Sequence, residues 1–210
     1  MNVFIVYAHP SKRSFTFQVL NSLINGLKTA NHSIELSDLY EMKFKSDMSE
    51  EEYEREGFVN IDLPIPKDVK EEHKKIERAD CIIFLYPLWW SDVPAKLKGW
   101  FDRVYSVGYA YGYDLNGNKT QKMKQIKLGL SICTAGHPNE FLEEIGISKS
   151  MENIMVDDRL GKRFDKRELI ILGGTLKLEE VKEKHLERAY EIGNNIEKYF
   201  TKKVIKIDSV

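Results

Sequence analysis

Two adjacent tryptophans lie in the middle of the chain, in the stretch "YPLWWSDVPAKLKGWFDR" (residues 86–103), just after the apolar run "CIIFL". Successive side chains of an extended segment point in opposite directions, so Trp89 and Trp90 cannot both pack into one core. We therefore predict that at least one of them lines a cleft, where an aromatic wall suits a flat, apolar ligand. Two half-buried aromatic rings that shield the start of a helix remain the alternative.

Two other loops carry groups that suit the rest of such a ligand. The stretch "AHPSKRSFT" offers hydrogen bonds from His9, Ser11, Ser14 and Thr16, and the helix that follows adds free amides and a positive dipole end. This combination favours a phosphate or pyrophosphate. In "CTAGHPNEF", the small residues Ala135 and Gly136 let backbone amides approach the edge of a planar ring. A flavin nucleotide has both a phosphate tail and a flat head.

The elements that must position these loops follow from hydrophobic periodicity. Four apolar runs are almost continuous, as in strands covered on both faces by helices, and a fifth alternates. The predicted strands are 3–8, 33–39, 81–86, 126–133 and 169–174. Helix-length segments lie between them, so we predict an α/β fold with a doubly wound parallel sheet. In such a sheet, ligands bind at the carboxyl ends of the strands.

Three helices have clear sequence signals. Residues 14–30 and 178–200 each place apolar residues at spacings of three and four, which form one helical face. In "VPAKLKGWFDRV" (93–104), Pro94 lies near the first helical turn, and either Ser91 or Asp92 is the predicted cap. At the other end of that helix, we predict that Arg103 is a structural, solvated partner of the helix dipole.

Three segments fall outside this alternation. Residues 40–66 are acidic and then interrupted by prolines, so we predict an insertion with a short solvated helix. Residues 105–125 form a long connection, a feature that is often functional. Between 157 and 163, two aspartates and two arginines predict either a metal or anion site or, more simply, an ion-pair cluster at a surface or dimer interface: Asp157, Asp158, Arg159 and Arg163.

Composition narrows the class of function. The 210 residues include 32 Lys and Arg against 33 Asp and Glu, which argues against a dedicated binder of nucleic acid or acidic membranes. Cys81 and Cys133 lie in apolar runs and are predicted to be buried thiols. The histidines show no metal-ligand spacing. No apolar stretch approaches the ~20 residues that span a bilayer, so we expect a cytoplasmic protein. From its length we expect one domain over 1–200, followed by a tail over 201–210.

Four segments carry a family resemblance: "VYAHPSKRSFT", "DLYEMKF", "CIIFLYPLWWSDVPAKLKGWFDRVYSVGYAYGY" and "ICTAG". Together they resemble the flavodoxin-like NAD(P)H:quinone oxidoreductases of the DT-diaphorase type, in order from about residue 1 to 136. The long pattern P-L-x-W-x-x-V-P-A-x-L-K-G-W-F-x-R is the most specific part. The resemblance implies a five-stranded sheet in the order 2-1-3-4-5 and ping-pong transfer of two electrons from NADH or NADPH to a quinone, although azo and nitro compounds would use the same slot.

The resemblance also implies a homodimer with a flavin, usually FAD but with FMN possible, at each interface site. The implied phosphate contacts are His9, Phe15 and Thr16, beside Ser14. The implied ring contacts are Pro87, Leu88, Trp89 and Trp90, with Thr134, Ala135 and Gly136 at the pyrimidine edge. We expect the backbone amides of the last three to stabilise negative charge on the reduced flavin. Tyr111 and Tyr113 match aromatic residues that cover the substrate, from the partner subunit.

One pair of positions departs from the family. The best-known members carry a tyrosine and then a histidine that handle charge and protons, whereas counting places Phe141 and Ile147 there, and neither can donate a proton. His137 lies nearby and is either a substitute or an exposed turn histidine before Pro138.

A different class of function also stays open, because one branch of the superfamily resembles the ancillary subunit that activates a potassium-efflux system.

Overall fold

The computed structural model describes residues 1–112 and 121–201 and contains five strands. They span Asn2–Tyr7 (β1), Ser33–Asp38 (β2), Cys81–Pro87 (β3), Ile126–Thr134 (β4) and Phe164–Leu172 (β5). The strands form one sheet in the order β2-β1-β3-β4-β5, and every neighbouring pair is parallel. The predicted flavodoxin-like, doubly wound sheet is therefore confirmed. The chain order reverses beside β1, so the carboxyl ends of β1 and β3 form the expected ligand-binding edge.

Helices cover both faces of this sheet. They span Phe15–Thr29 (α1), Glu50–Gly57 (α2), Lys67–Arg78 (α3), Ala95–Val104 (α4), Asn139–Glu144 (α5), Ile147–Met151 (α6), Leu178–Asn194 (α7) and Lys198–Thr201 (α8). A π-helix spans Glu152–Leu160, and short 3-10 helices span Gly161–Arg163 and Thr175–Lys177. Alternate residues of β1 enter two separate cores: Phe4 and Val6 pack with α3 and α4, whereas Val3 and Ile5 pack with α1 and α7.

Helices α1 and α7 touch backbone to backbone. A Cβ atom at Gly26 would lie 2.1 Å from the carbonyl oxygen of Tyr190, and one at Gly193 would lie 2.4 Å from that of Leu23. Each helix therefore places a glycine where the other helix comes closest. This contact fixes α1, whose first turn faces the ligand-binding edge, against the long helix that follows β5.

Several predicted boundaries and caps were wrong. Strand β5 begins at Phe164, not at residue 169. The prediction missed its first half because that half is polar and only partly buried, whereas the second half is a buried apolar run. Neither Ser91 nor Asp92 caps α4; Pro94 is the N-cap, and the Asp92 carboxylate accepts from the amide of Val93, one residue earlier. Helix α7 ends at Asn194, and only the first residue of the predicted tail, 201–210, lies within the described residues.

The acidic insertion forms the predicted short helix, α2, but that helix is not merely solvated. Glu52 and Arg55 are buried, and Ser49 and Glu52 form a capping box at its start. Glu52 accepts from the Nε of Arg103 at 2.7 Å, and Asp68 accepts from the same guanidinium at 2.6 Å. Arg103 is therefore a buried centre of an ion-pair network and not the solvated helix-end residue that the sequence predicted.

Two buried polar side chains, Trp100 and Glu72, bind each other within the core. Trp100, the third tryptophan of the opening stretch, donates its Nε1–H to Glu72 at 2.8 Å, and both side chains are fully buried.

The two cysteines, Cys81 and Cys133, are buried and unbonded, as predicted. Burial raises the pKa of both thiols, to about 12 for Cys133.

Candidate active site

Three loops converge where β1, β3 and β4 end. The amide of Ala8 donates to the carbonyl of Leu85 at 3.0 Å, which joins the ends of β1 and β3. The amide of Leu88 donates to the carbonyl of Thr134 at 2.8 Å, which joins the ends of β3 and β4. Most of the predicted site residues therefore lie at one edge of the sheet, as parallel strands require.

His9 lies at this edge as a neutral hydrogen-bond donor. The amide of Ser11 donates to its Nδ1 at 3.0 Å, so the ring proton resides on Nε2. Burial is the largest cause that acts on the pKa of His9, and it lowers that pKa from the usual value. The ring meets Trp89 edge-on, with centroids 5.7 Å apart. A neutral ring with Nε2–H available suits an oxygen acceptor such as a phosphate.

The first turn of α1 offers further donors. Ser14 caps the helix by accepting from the amide of Phe17 at 3.1 Å, and no acidic residue lies in the first turn. Within the described part of the chain, no group accepts from the amides of Phe15 and Thr16. Free amides at a helix start, next to a neutral histidine, form a site for an anion.

Thr16 and Thr134 connect the two halves of the site. Their hydroxyl oxygens lie 2.8 Å apart, and both side chains are buried. The bond joins the first turn of α1 to the end of β4. Sequence reasoning placed both residues near the ligand but missed their contact, because 118 positions separate them.

The paired tryptophans occupy a turn of unusual conformation. Trp90 and Ser91 have φ of 49° and 62°, so both lie in the left-handed region. The amide of Trp89 donates to the carbonyl of Asp92, and the amide of Asp92 donates to the carbonyl of Trp89. Each non-glycine residue in this region costs of the order of 1 to 3 kcal/mol. Trp89 is 41% exposed and Trp90 is fully exposed, so neither is a core residue, whereas Pro87 is buried and Leu88 half-buried.

The loop after β4 differs from expectation at one amide. The amide of Ala135 donates to the carbonyl of Leu172 at 3.0 Å, so it cannot also bind a ligand. Of the three amides predicted to stabilise negative charge, that of Ala135 is thereby excluded. The bond was missed because the sequence does not reveal the register between β4 and β5, which places Thr134 beside Leu172. Gly136 is half-buried and follows directly.

His137 and Phe141 pack against each other beside this loop. Their rings lie 4.7 Å apart, His137 is exposed, and Phe141 is partly exposed. The exposure of His137 fits the turn-histidine alternative, and the structure gives its ring no hydrogen-bond partner among the described residues. Ile147 begins α6 and packs against the core.

The loop after α4 carries Tyr111, which is partly exposed. Its hydroxyl donates to Glu56 Oε2 at 3.2 Å, and the same oxygen accepts from the amide of Val107 at 2.6 Å. Arg55 binds the same residue through its other backbone group, because its Nη2 donates to the carbonyl of Val107 at 2.9 Å. The predicted partner residue Tyr113 lies outside the described residues.

The charged segment 157–163 does not form the predicted cluster. Arg159 instead pairs with Asp92 at 3.0 Å, and Arg163 donates to the backbone carbonyls of Asp158 and Arg159. No group of histidine, cysteine or acidic side chains in residues 1–112 and 121–201 has the arrangement of a metal site. A groove of about 1390 Å³ runs along β5, away from the converging loops.

Comparison with known proteins gives the family. The sequence profile of the family described as Flavodoxin-like fold matches residues 1–189. The chain belongs to this family. Among solved structures, an NAD(P)H:quinone oxidoreductase from Methanothermobacter marburgensis is 45% identical to this flavodoxin-like chain. The two superpose with a TM-score of 0.85 over 94% of this chain and 97% of that chain.

Curated relatives of this flavodoxin-like chain are named as oxidoreductases. A ribosyldihydronicotinamide dehydrogenase-like protein from Penicillium crustosum is 33% identical over 178 residues, which cover 74% of this chain and 65% of that protein. An uncharacterized NAD(P)H oxidoreductase from Haemophilus influenzae is 35% identical over 158 residues, which cover 75% of both chains. The chain thus spans just under two thirds of the Penicillium protein. Among the described residues, no helix is both long enough and apolar enough to cross a membrane.

Proposed function

We propose that the chain is a flavin-dependent NAD(P)H oxidoreductase that delivers two electrons to a quinone or a similar electrophilic acceptor. The observation that carries the proposal is the convergence of neutral His9, the free amides at the start of α1 and the aromatic turn at one sheet edge. The names of the relatives support the same reaction class.

The residues present fit a flavin nucleotide. His9 Nε2–H and the amides of Phe15 and Thr16 would hold phosphate oxygens, and no carboxylate in the first turn of α1 would repel them. Pro87, Leu88 and the turn with Trp89 and Trp90 would form the wall for the ring system. When bound, the flavin, FAD or FMN, accepts two electrons from a nicotinamide and then passes them to the acceptor in ping-pong order.

The remaining site residues would orient the ring and screen it from water. The buried bond between Thr16 and Thr134 would hold the phosphate end and the ring end at a fixed separation. Thr134 and Gly136 remain as contacts for the pyrimidine edge, whereas Ala135 is buried and its amide is already bonded. Phe141 cannot exchange a proton, so we assign any proton transfer at this position to His137, whose exposed ring packs against Phe141.

The proposed protein is a cytoplasmic homodimer of single domains over residues 1–200, with each site completed by the partner's loop after α4. Tyr111 supports this arrangement because its partly exposed ring is held on an outer loop by Glu56. Light scattering coupled to size exclusion tests the dimer. A mixture of His9→Ala and Tyr111→Ala subunits should then regain activity, because some mixed dimers contain one intact site.

Absorbance spectroscopy tests the function. The purified protein, mixed with FAD or FMN, should show flavin bands that bleach when NADH or NADPH is added without oxygen and return when a quinone follows. His9→Ala should weaken flavin binding roughly 10- to 100-fold, since hydrogen bonds to charged groups contribute about 1.5 to 3 kcal/mol. His32→Ala, at the opposite end of the sheet, is the control. A protein that gains no bands with either flavin would overturn the proposal.

A further inference from the structure

We propose that Arg159 is a positioning residue: through Asp92 it holds the Trp89–Trp90 turn in the conformation that binds the flavin. The inference rests on the proposed function for the identity of the ligand, but the turn and its support are features of the chain itself. It accounts for a buried arginine that the chemistry of the site does not otherwise use.

The turn needs support from outside its own backbone. Trp90 and Ser91 occupy the two central positions with φ of 49° and 62°, a geometry that normally selects Asn-Gly and disfavours bulky side chains. Trp90 is fully exposed and Ser91 is exposed, so neither side chain packs against anything that would hold it. Two backbone bonds between Trp89 and Asp92 close the turn. A turn with Trp90 and Ser91 at its centre would open more readily than an Asn-Gly turn.

Asp92 supplies the support. Its Oδ1 accepts from the amide of Val93 at 2.7 Å, which fixes the carboxylate at the exit of the turn. Two nitrogens of Arg159 donate to the two carboxylate oxygens, at 3.0 Å and 3.4 Å. Paired hydrogen bonds from a guanidinium restrain both the position and the orientation of a carboxylate. The last residue of the turn is thereby tied to a group 67 positions away in sequence.

Arg159 is itself fixed. Its side chain is only 8% exposed, its guanidinium lies 5.2 Å above the ring of Phe101, and Nη1 also contacts the sulfur of Met155 at 3.2 Å. It belongs to a π-helix of nine residues, Glu152–Leu160, whereas such helices occur mostly as single turns at functional sites. An apolar residue would fill this space at a lower desolvation cost. The charged residue is therefore explained by the orientation it imposes on Asp92.

Arg159→Met separates orientation from packing, because methionine fills the space above Phe101 but donates no hydrogen bond. In the flavin-free protein, amide hydrogen exchange at Trp89 and Asp92, followed by nuclear magnetic resonance, should accelerate about tenfold. Flavin affinity should fall about tenfold. Arg167→Met is the control for loss of an arginine from this region, because Arg167 donates to the carbonyl of Gly161 and does not touch the turn.

Rescue distinguishes positioning from general stability. Glycine adopts the left-handed conformation without strain, so adding Ser91→Gly to Arg159→Met should restore slow exchange and most of the flavin affinity, although it restores no contact of Arg159. Unchanged exchange in Arg159→Met, or no rescue by Ser91→Gly, would overturn the inference. If Arg159→Met does not fold, Arg159→Lys, which keeps the charge but loses the paired geometry, replaces it with the same expectations.

The two proposals fail in different ways. If wild-type protein binds no flavin, the proposed function fails, and exchange at Trp89 and Asp92 still tests the support by Arg159. If wild-type protein binds flavin and Arg159→Met opens the turn without loss of affinity, the proposed function stands and the role of Arg159 in flavin binding is overturned.

Discussion

The bond between Thr16 and Thr134 is a single contact on which two parts of the site depend. Each hydroxyl is buried and has the other as its partner at 2.8 Å. A buried hydroxyl that loses its partner keeps the full cost of its desolvation, whereas removal of both hydroxyls removes that cost as well. The energetic effect of a substitution at one position therefore depends on the residue at the other.

We predict that Thr16→Val lowers the free energy of unfolding by about 1 to 3 kcal/mol, because it leaves the Thr134 hydroxyl buried and unpaired. Thr16→Val with Thr134→Val should be more stable than the single variant. Urea denaturation measures both. Thr29→Val serves as the control, since Thr29 is exposed and bonds mainly within its own helix. Equal stability of the single and double variants would contradict this account.

Individual residues also show what the sequence could not predict. The types and spacing of His9, Trp89 and Trp90 placed them at the sheet edge, because each directly follows an apolar strand. The roles of Asp92 and Arg159 could not be predicted, since their contact depends on a π-helix that has no recognised sequence signal. Likewise, Glu52 and Arg103 were predicted to be solvated charges, because a local sequence pattern does not reveal that they bind each other across 51 positions.

At the scale of elements, α2 supports the loop that carries Tyr111. Glu56 accepts from the amide of Val107 and from the Tyr111 hydroxyl, while Arg55 donates to the carbonyl of Val107 and to that of Leu63. The amide and the carbonyl of Val107 are thus both held by consecutive residues of a short helix. The insertion, predicted as an appendage, is part of the framework of the proposed substrate cover.

We predict that Glu56→Ala raises KM for the acceptor roughly 3- to 10-fold and changes kcat less, because the cover loses its position but the flavin contacts remain. Tyr111→Phe should reproduce part of the effect, since it removes one of the two hydrogen bonds that the loop makes to Glu56. Steady-state kinetics with a quinone measures both. Glu54→Ala, an exposed neighbour in α2, is the control, and similar kinetics for Glu54→Ala and Glu56→Ala would refute the role of Glu56.

The contact between α1 and α7 gives a second prediction for an element. Gly26→Ala places a methyl group against the backbone of α7, where the available distance is 2.1 Å, so the helices must separate. We expect a loss of about 1 to 3 kcal/mol or more in unfolding free energy, measured by denaturation. Gly57→Ala is the control, because its methyl group would meet only the exposed ring of Tyr53. Equal losses would show that the close contact is unimportant.

At the scale of the whole molecule, the strands and the helical layers were predictable for physical reasons, whereas the strand order was implied by the family resemblance. Strands buried on both faces must be continuously apolar, and β3 and the second half of β5 show this directly. The polar first half of β5 was missed because that part of the strand is only half covered. The ion-pair networks around Arg103 and Glu72 were missed because they join elements that are remote in sequence.

Buried histidine makes the stability of the molecule dependent on pH. Burial is the largest cause that lowers the pKa of His73, whose ring stacks on Tyr109 and bonds to the carbonyl of Val104. The unfolded chain therefore takes up this proton at a higher pH than the folded chain. Stability contributed by the neutral ring is present above the unfolded pKa, near 6.5, and is lost as the pH falls below it.

We predict that the free energy of unfolding decreases as the pH is lowered from 7 to 5.5. His73→Phe should make this decrease shallower, because phenylalanine can stack on Tyr109 but does not titrate. His9, whose pKa is also lowered by burial, should contribute to the slope that remains. Denaturation at a series of pH values measures the slope, and an unchanged slope in His73→Phe would contradict the assignment.

The buried state of both cysteines has a consequence for the chemical durability of the protein. Quinones, the acceptors that we propose, are electrophiles that can alkylate thiolates. Cys81 and Cys133 are the only sulfhydryl groups of the chain, and burial keeps both protonated and out of contact with solvent. The folded protein therefore offers such acceptors no accessible thiol, and alkylation of its cysteines would have to begin with unfolding around them.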